Sequence, residues 1–263
     1  MDLGLRNRVA LVTAASQGLG AAVALRFAEE EARLVICSRD KGRIEARAAA
    51  IREATGAEVL PVVADVTQAA DVKRLVGTTV DFYDRLDILI TNAGGPPAAP
   101  FLKLSPEDFE AAFQLNLMSA VRLCYAAVPQ MIKQGEGSIV TMTSLSVKQP
   151  IENLILSNSI RLGVMGLTKT LANELGPMGI RVNSVLPGWT RTSRVGELLE
   201  SRARINNTTP EIEAERIAGS FPLGRMGEPQ EIANVTVFLA SPAASYVHGV
   251  ALQVDGGAYK GAL

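Results

Sequence analysis

Cysteine, histidine and tryptophan are scarce, at two, one and one in 263 residues. Two cysteines cannot build a disulfide scaffold, and the single histidine, His248, leaves no cluster with metal-ligand spacing, so no metal is expected. Cys37 and Cys124 each lie among apolar neighbours and read as small buried hydrophobes, and His248 reads as structural. Neither sign of charge is in excess, with 26 Lys and Arg against 27 Asp and Glu, which argues against nucleic acid as a main partner. No uninterrupted stretch approaches the roughly 20 apolar residues of a membrane span. Met1 to Arg8 carry no apolar leader, so the expectation is a cytoplasmic protein that does not enter a membrane.

What is present is a well-packed composition, 48% hydrophobic and 20% charged, over a length that suits one large domain. Short apolar runs alternate with helical patterns: Val9 to Thr13, Arg33 to Ser38, Glu58 to Val63, Asp87 to Thr91, Ser138 to Thr143, Arg181 to Val185 and Ala251 to Val254. These runs are too apolar to have a wet face. They predict an α/β, doubly wound, seven-stranded parallel sheet with helices on both faces, a single domain over residues 1–263. Ile44, Ala48 and Ile51 form one helical stripe, and Val72, Leu75, Val76 and Val80 another, each on a charged helix of the outer layer. The segments Pro106 to Gln134 and Glu152 to Gly176 are apolar all round, which points to association with other copies.

The octapeptide Thr13-Ala14-Ala15-Ser16-Gln17-Gly18-Leu19-Gly20 follows the first strand and opens a helix. Glycines there let the backbone approach a pyrophosphate, whose charge suits free N–H groups at a helix N-terminus. Alone, the pattern also fits a plain strand-to-helix turn, and Ala14 stands where such turns place their first glycine. The second strand ends Cys37-Ser38-Arg39, without the acidic residue that would repel a 2′-phosphate, and Arg39 can pair with one. NADP(H) is therefore favoured over NAD(H). Asp40 and Gln17 argue the other way, and Arg39 also fits an unliganded surface side chain.

Further signatures are Asp65-Val66, Asn92-Ala93-Gly94, Asn116, Gly166-Leu167-Thr168-Lys169, Asn183-Ser184-Val185, Pro187-Gly188, Pro222-Leu223-Gly224-Arg225 and Val254-Asp255-Gly256-Gly257. With these the chain resembles, over essentially its full length, the short-chain dehydrogenase/reductases, and among them the 3-oxoacyl-acyl-carrier-protein reductases. The resemblance implies a Rossmann fold. It further implies that Thr13, Ala15, Ser16, Gly18, Leu19 and Gly20 form the pyrophosphate turn and that Ser38 and Arg39 meet the adenosine ribose. Asp65 and Val66 would flank adenine, Asn92, Ala93 and Gly94 would back the ribose, and Pro187, Gly188, Thr190 and Thr192 would hold the carboxamide. Asp65 also fits an ordinary helix cap. A mobile substrate lid is implied at about 189–225, its two helices hinged at Asn206 to Pro210, with a small carbonyl or acyl substrate beneath it and a homotetramer as the assembly.

The family's chemistry uses a Ser, a Tyr and a Lys, with an Asn holding a water. Ser144 matches the Ser and Asn116 the Asn, an assignment that competes with a bond to a neighbouring carbonyl. Counting back nine from Gly166 puts Ser157 at the Tyr position and Arg161 at the Lys position, where Arg161 would also reach the cofactor ribose. The pair is four residues apart and shares one helix face. A seryl hydroxyl is a far weaker acid than a phenol, and a guanidinium does not release a proton. Tyr83, Tyr125, Tyr246 and Tyr259 fall outside this segment, and Lys148 reads as a solvated lysine with a proton-delivery role as the alternative. Two functions stay open: a reductase with altered proton donation, and a dinucleotide-binding sensor or partner subunit that has lost catalysis.

Overall fold

A computed structural model describes residues 1–262. Seven strands, β1 (Val9–Val12), β2 (Arg33–Ser38), β3 (Val59–Val63), β4 (Ile88–Thr91), β5 (Gly137–Met142), β6 (Ile180–Pro187) and β7 (Ala251–Val254), form one sheet in the order β3-β2-β1-β4-β5-β6-β7. Every pairing is parallel, with β1 lying between β2 and β4. The chain therefore reverses its direction of winding between β1 and β4. In such sheets the crevice beyond the strand C-termini opens at that switch point.

Helices cover both faces because successive strand residues point to opposite sides. Ala10 and Val12 of β1 face α1 (Gly18–Glu29), α2 (Lys41–Thr55) and α9 (Pro229–Ala240), in a core with Phe27, Ile44, Ile51 and Val237. Val9 and Leu11 face α3 (Ala69–Tyr83), α5 (Ser119–Gln134) and α6 (Ile155–Leu175), packing with Leu75, Leu123 and Leu175. The expected stripes are there: Ile44, Ala48 and Ile51 are buried, as are Val72, Leu75 and Val76, while Val80 is half-buried. Cys37 and Cys124 are buried too, and burial pushes both thiols up to about 12.

Between β4 and β5 the short α4 (Pro106–Ala112), a widened π turn over Phe113–Met118, and α5 run on as one apolar helix. At 29 residues, Pro106–Gln134 is long and apolar enough to cross a bilayer by length and composition alone, although it contains no uninterrupted apolar run of that length. In this fold one face of it is buried toward the sheet, through Ala120, Leu123, Ala127 and Met131, while Phe113, Tyr125 and Ile132 are exposed. After β6 come α7 (Ser193–Asn206) and α8 (Pro210–Gly219), the two helices expected around the Asn206 to Pro210 turn. His248 is structural: it accepts from the Val182 N–H at 3.2 Å through Nδ1, and its Nε2 lies 2.7 Å from the Ala172 carbonyl.

Candidate active site

A cleft of about 470 Å³ opens over the C-terminal ends of the strands. Its floor is the turn after β1. Ala14 and Gly18 both adopt left-handed backbone, at φ 48° and 59°. A Cβ on Gly18 would find only Thr192 near it, at 3.8 Å, so the turn presents bare backbone to the cleft. A Cβ on Gly20 would stand 2.4 Å from the Ala14 carbonyl, which makes Gly20 the residue that lets α1 close onto the strand end. Ser16, Gly18 and Leu19 line the cleft, whereas Thr13, Ala15 and Gly20 are buried behind it. Thr13 works as a staple: its hydroxyl donates to the Asn92 carbonyl at 2.7 Å and accepts from the Asn92 N–H at 2.8 Å, tying β1 to the end of β4. The cradle is bare backbone at a helix N-terminus, and it fits a pyrophosphate.

At one end of the cleft stand Ser38, Arg39, Asp40, Arg43, Gln17, Asp65 and Val66. Asp40 caps α2, accepting from the Arg43 N–H at 2.9 Å, and pairs with the Arg43 side chain at 3.4 Å. Its charge is thereby tied to a helix start and a guanidinium. Arg43 also reaches Gln17, 3.5 Å away, so two arginines serve this end where the sequence had offered only Arg39. Asp65 lines the cleft while its carboxylate holds the turn before α3, accepting from the Thr67 N–H at 2.9 Å and the Thr67 hydroxyl at 2.8 Å.

At the other end α6 presents Ser157 and Arg161 as the first members of its buried stripe, continued by Val164, Thr168, Ala172 and Leu175. Ser157 Oγ lies 3.1 Å from Ser146 Oγ, and Ser144 Oγ accepts from the Ser146 N–H at 3.1 Å. Ser144, Ser157 and Arg161 all line the cleft, together with Ala93, Gly94, Pro187, Gly188, Thr190 and Thr192. Arg161 is only 9% exposed, and its guanidinium donates to the carbonyls of Met142 at 3.2 Å, Thr143 at 3.4 Å and Gly94 at 3.4 Å. No carboxylate meets it among the described residues. Burial, with Arg194 nearby, pushes its pKa down to about 10, so it stays charged at neutral pH.

Asn116 sits in the widened turn behind this wall. Its amide donates to the Gly94 carbonyl at 2.9 Å, the bond to a neighbouring carbonyl that competes with a water-holding role, yet its buried Oδ1 has no partner. A buried acceptor of that kind is suited to a water. The lining contains no tyrosine and no lysine, and Lys148 is exposed and outside it. Sequence reasoning missed Arg43 and Ser146; Gly95, in the Gly/Pro/Ala-rich loop Gly94 to Pro100, and Trp189 and Arg194, in the Arg-rich lid, were legible only as parts of those segments. Arg43 alone carried a local signal, three residues after the capping Asp40.

A parallel doubly wound sheet with a backbone cradle at its switch point, a ribose end and a hydroxyl-and-cation end defines a nicotinamide-dinucleotide oxidoreductase. Comparison with known proteins agrees. Residues 13–259 match the family model described as enoyl-(acyl carrier protein) reductase. A dehydrogenase/reductase SDR family member 4 from Bos taurus is 38% identical over 96% of this chain and 88% of its own length. The 3-oxoacyl-[acyl-carrier-protein] reductase FabG of Thermotoga maritima is 35% identical over 96% and 98%. The crystal structure of L-sorbose reductase from Gluconobacter frateurii, complexed with NADPH and L-sorbose, superposes with a TM-score of 0.94 at 32% identity, covering 99% of this chain and all of that one. The chain belongs to the short-chain dehydrogenase/reductase family, and it is an NAD(P)-dependent oxidoreductase.

Proposed function

We propose that the protein is an NADP(H)-dependent reductase of small carbonyl or 3-oxoacyl compounds in which two serines and a buried arginine do the work of the family's phenol and amine. The observation that carries this is the cluster Ser144, Ser146, Ser157 and Arg161 at one end of a cleft whose other end holds Ser38, Arg39 and Arg43. Asp40 is engaged by the start of α2 and by Arg43, and Asp65 by Thr67, while Arg39 and Arg43 stand at the same end as cations suited to a 2′-phosphate. Relatives named as 3-oxoacyl reductases and a neighbour solved with NADPH support the reading.

When bound, the nicotinamide supplies the hydride. The chain's own residues handle the oxygen. Ser144 and Ser157 donate hydrogen bonds to the substrate carbonyl oxygen; with Ser146 donating to Ser157, the Ser157 proton is left to point into the cleft. Arg161 lies under the same wall and stabilises negative charge as it develops on that oxygen. The carbonyl carbon gains hydride, and the oxygen takes its proton from water. No group of this set ionises near neutrality, so reduction should show a flat pH profile from about 6 to 9. A rising or falling limb inside that range would point to another proton donor.

Helices α7 and α8 act as the lid in this reading, and a homotetramer would cover the exposed Phe101, Leu102, Tyr125 and Leu162. One observation favours a second reading. Ser157 and Arg161 already have partners within the protein, as residues of a binding module would. NADPH oxidation with a β-ketoester, quinone and aldehyde panel separates the two. The reductase turns over at least one member, and Ser144→Ala lowers kcat/KM by roughly 10²- to 10³-fold. Cofactor fluorescence that changes on binding with no turnover on any member would establish the module.

A further inference from the structure

At the catalytic end of the cleft every charged lining residue is cationic. Arg161 and Arg194 stand there, while the acidic residues that line the cleft, Asp40 and Asp65, both belong to the ribose end. Arg194 opens α7, whose first turn carries no acidic residue. Its guanidinium donates to the Pro96 carbonyl and to Glu197 at 3.2 Å, which draws it across the mouth of the cleft against the loop after β4. Gly95 makes this possible: a Cβ there would stand 2.7 Å from Arg194 Nε. Glu197 is 65% exposed and Arg194 35%, so the pair is worth little and leaves Arg194 able to exchange Glu197 for a ligand's carboxylate. Leu115, Ile151, Leu154, Trp189 and Leu198 give the same end apolar walls.

Arg161 is desolvated with no counter-charge and Arg194 has only a surface carboxylate as its partner, so an anion entering this end of the cleft is favoured. Resting on the reductase reading above, we infer that the substrate is a free oxo acid with a short apolar body, its carboxylate held by Arg194 at the mouth and its carbonyl directed to Ser144 and Ser157 above Arg161. Arg194 is then a specificity residue, and Gly95 is the residue that positions it. A thioester or a sugar would bring no anion to Arg194 beyond the Glu197 it already holds.

The test uses acetoacetate and levulinate, each against its methyl ester, titrated calorimetrically into the purified protein with and without NADP⁺. The acids should bind roughly 10- to 100-fold tighter than the esters, the range expected for hydrogen bonds to a charged group. Arg194→Gln should erase that preference while leaving the NADPH fluorescence titration within about two-fold of the parent protein. Gly95→Ala, which crowds Arg194 without removing its charge, should reproduce part of the loss. Equal affinity of acid and ester in the parent protein would overturn the inference, as would an Arg194→Gln variant that weakens NADPH as much as the acids. A parent protein that ignores NADPH yet keeps the acid preference would sink the reductase reading and leave the charge selectivity standing.

Discussion

The two ends of the sheet treat a buried charge in opposite ways. At the N-terminal edge Asp87, 4% exposed, receives Arg85 at 2.6 and 2.8 Å, Arg8 at 3.0 Å and the Val9 N–H at 2.8 Å. Burial opposes its ionisation, but the bonds from Arg85, Val9 and Arg8 outweigh that and hold its pKa below the usual carboxylate range. At the C-terminal edge Arg161, 9% exposed, has only carbonyl oxygens as hydrogen-bond partners and no carboxylate. One edge has compensated its charge within the fold; the other keeps a charge that only a ligand can answer. That contrast marks which edge works for stability and which for chemistry.

Removing charge at each edge should have opposite signs. Asp87→Ala removes the buried acceptor shared by Arg8, Arg85 and the Val9 N–H, leaves the two guanidinium groups with Glu136 alone, and should lower stability by about 1–3 kcal/mol in urea titrations at pH 7. The Asp87 contribution is present above the ordinary carboxylate pKa and is lost as pH falls through its lowered value, so the variant should lose less stability on acidification than the parent. Arg161→Met should instead raise the melting temperature, by roughly 2–4 °C for each kcal/mol gained in a chain of this size, while abolishing turnover. A drop in melting temperature would mean that the three carbonyls need their donor more than burial penalises the charge. A smaller effect sharpens the picture at the ribose end. Arg39→Ala should weaken NADPH by roughly ten-fold and NADH much less, and equal losses for both would remove the 2′-phosphate from the account.

The sheet was legible in the sequence because parallel strands are buried on both faces and so appear as unbroken apolar runs; observed limits differ by a residue or two, as at β6, which runs on to Pro187. The cradle and Ser144, Ser157 and Arg161 were legible because short motifs place them on one strand end or one helix face. Arg194 was legible only as one of several lid arginines that could meet an acidic substrate or simply face solvent, since what seats it is Pro96, 98 residues earlier, and the missing Cβ of Gly95. Ser146 was missed for a similar reason: its meaning lies in a bond to Ser157 across a turn and a helix. Thr13, Ala15 and Gly20 share the motif with the lining residues, but pattern alone does not say which members face the cleft and which hold its floor in place.

The central claim is that a serine hydroxyl and a guanidinium stand where a phenol and an amine would complete the family's proton donor. The measurement that tests it most directly is the kcat of NADPH oxidation by the double variant Ser157→Tyr with Arg161→Lys, on whichever carbonyl compound the parent protein reduces. We expect a gain of roughly 10²- to 10⁴-fold, the usual worth of a positioned general acid, together with a new pH-dependent limb. A double variant that folds, binds NADPH and turns over no faster than the parent would contradict the account.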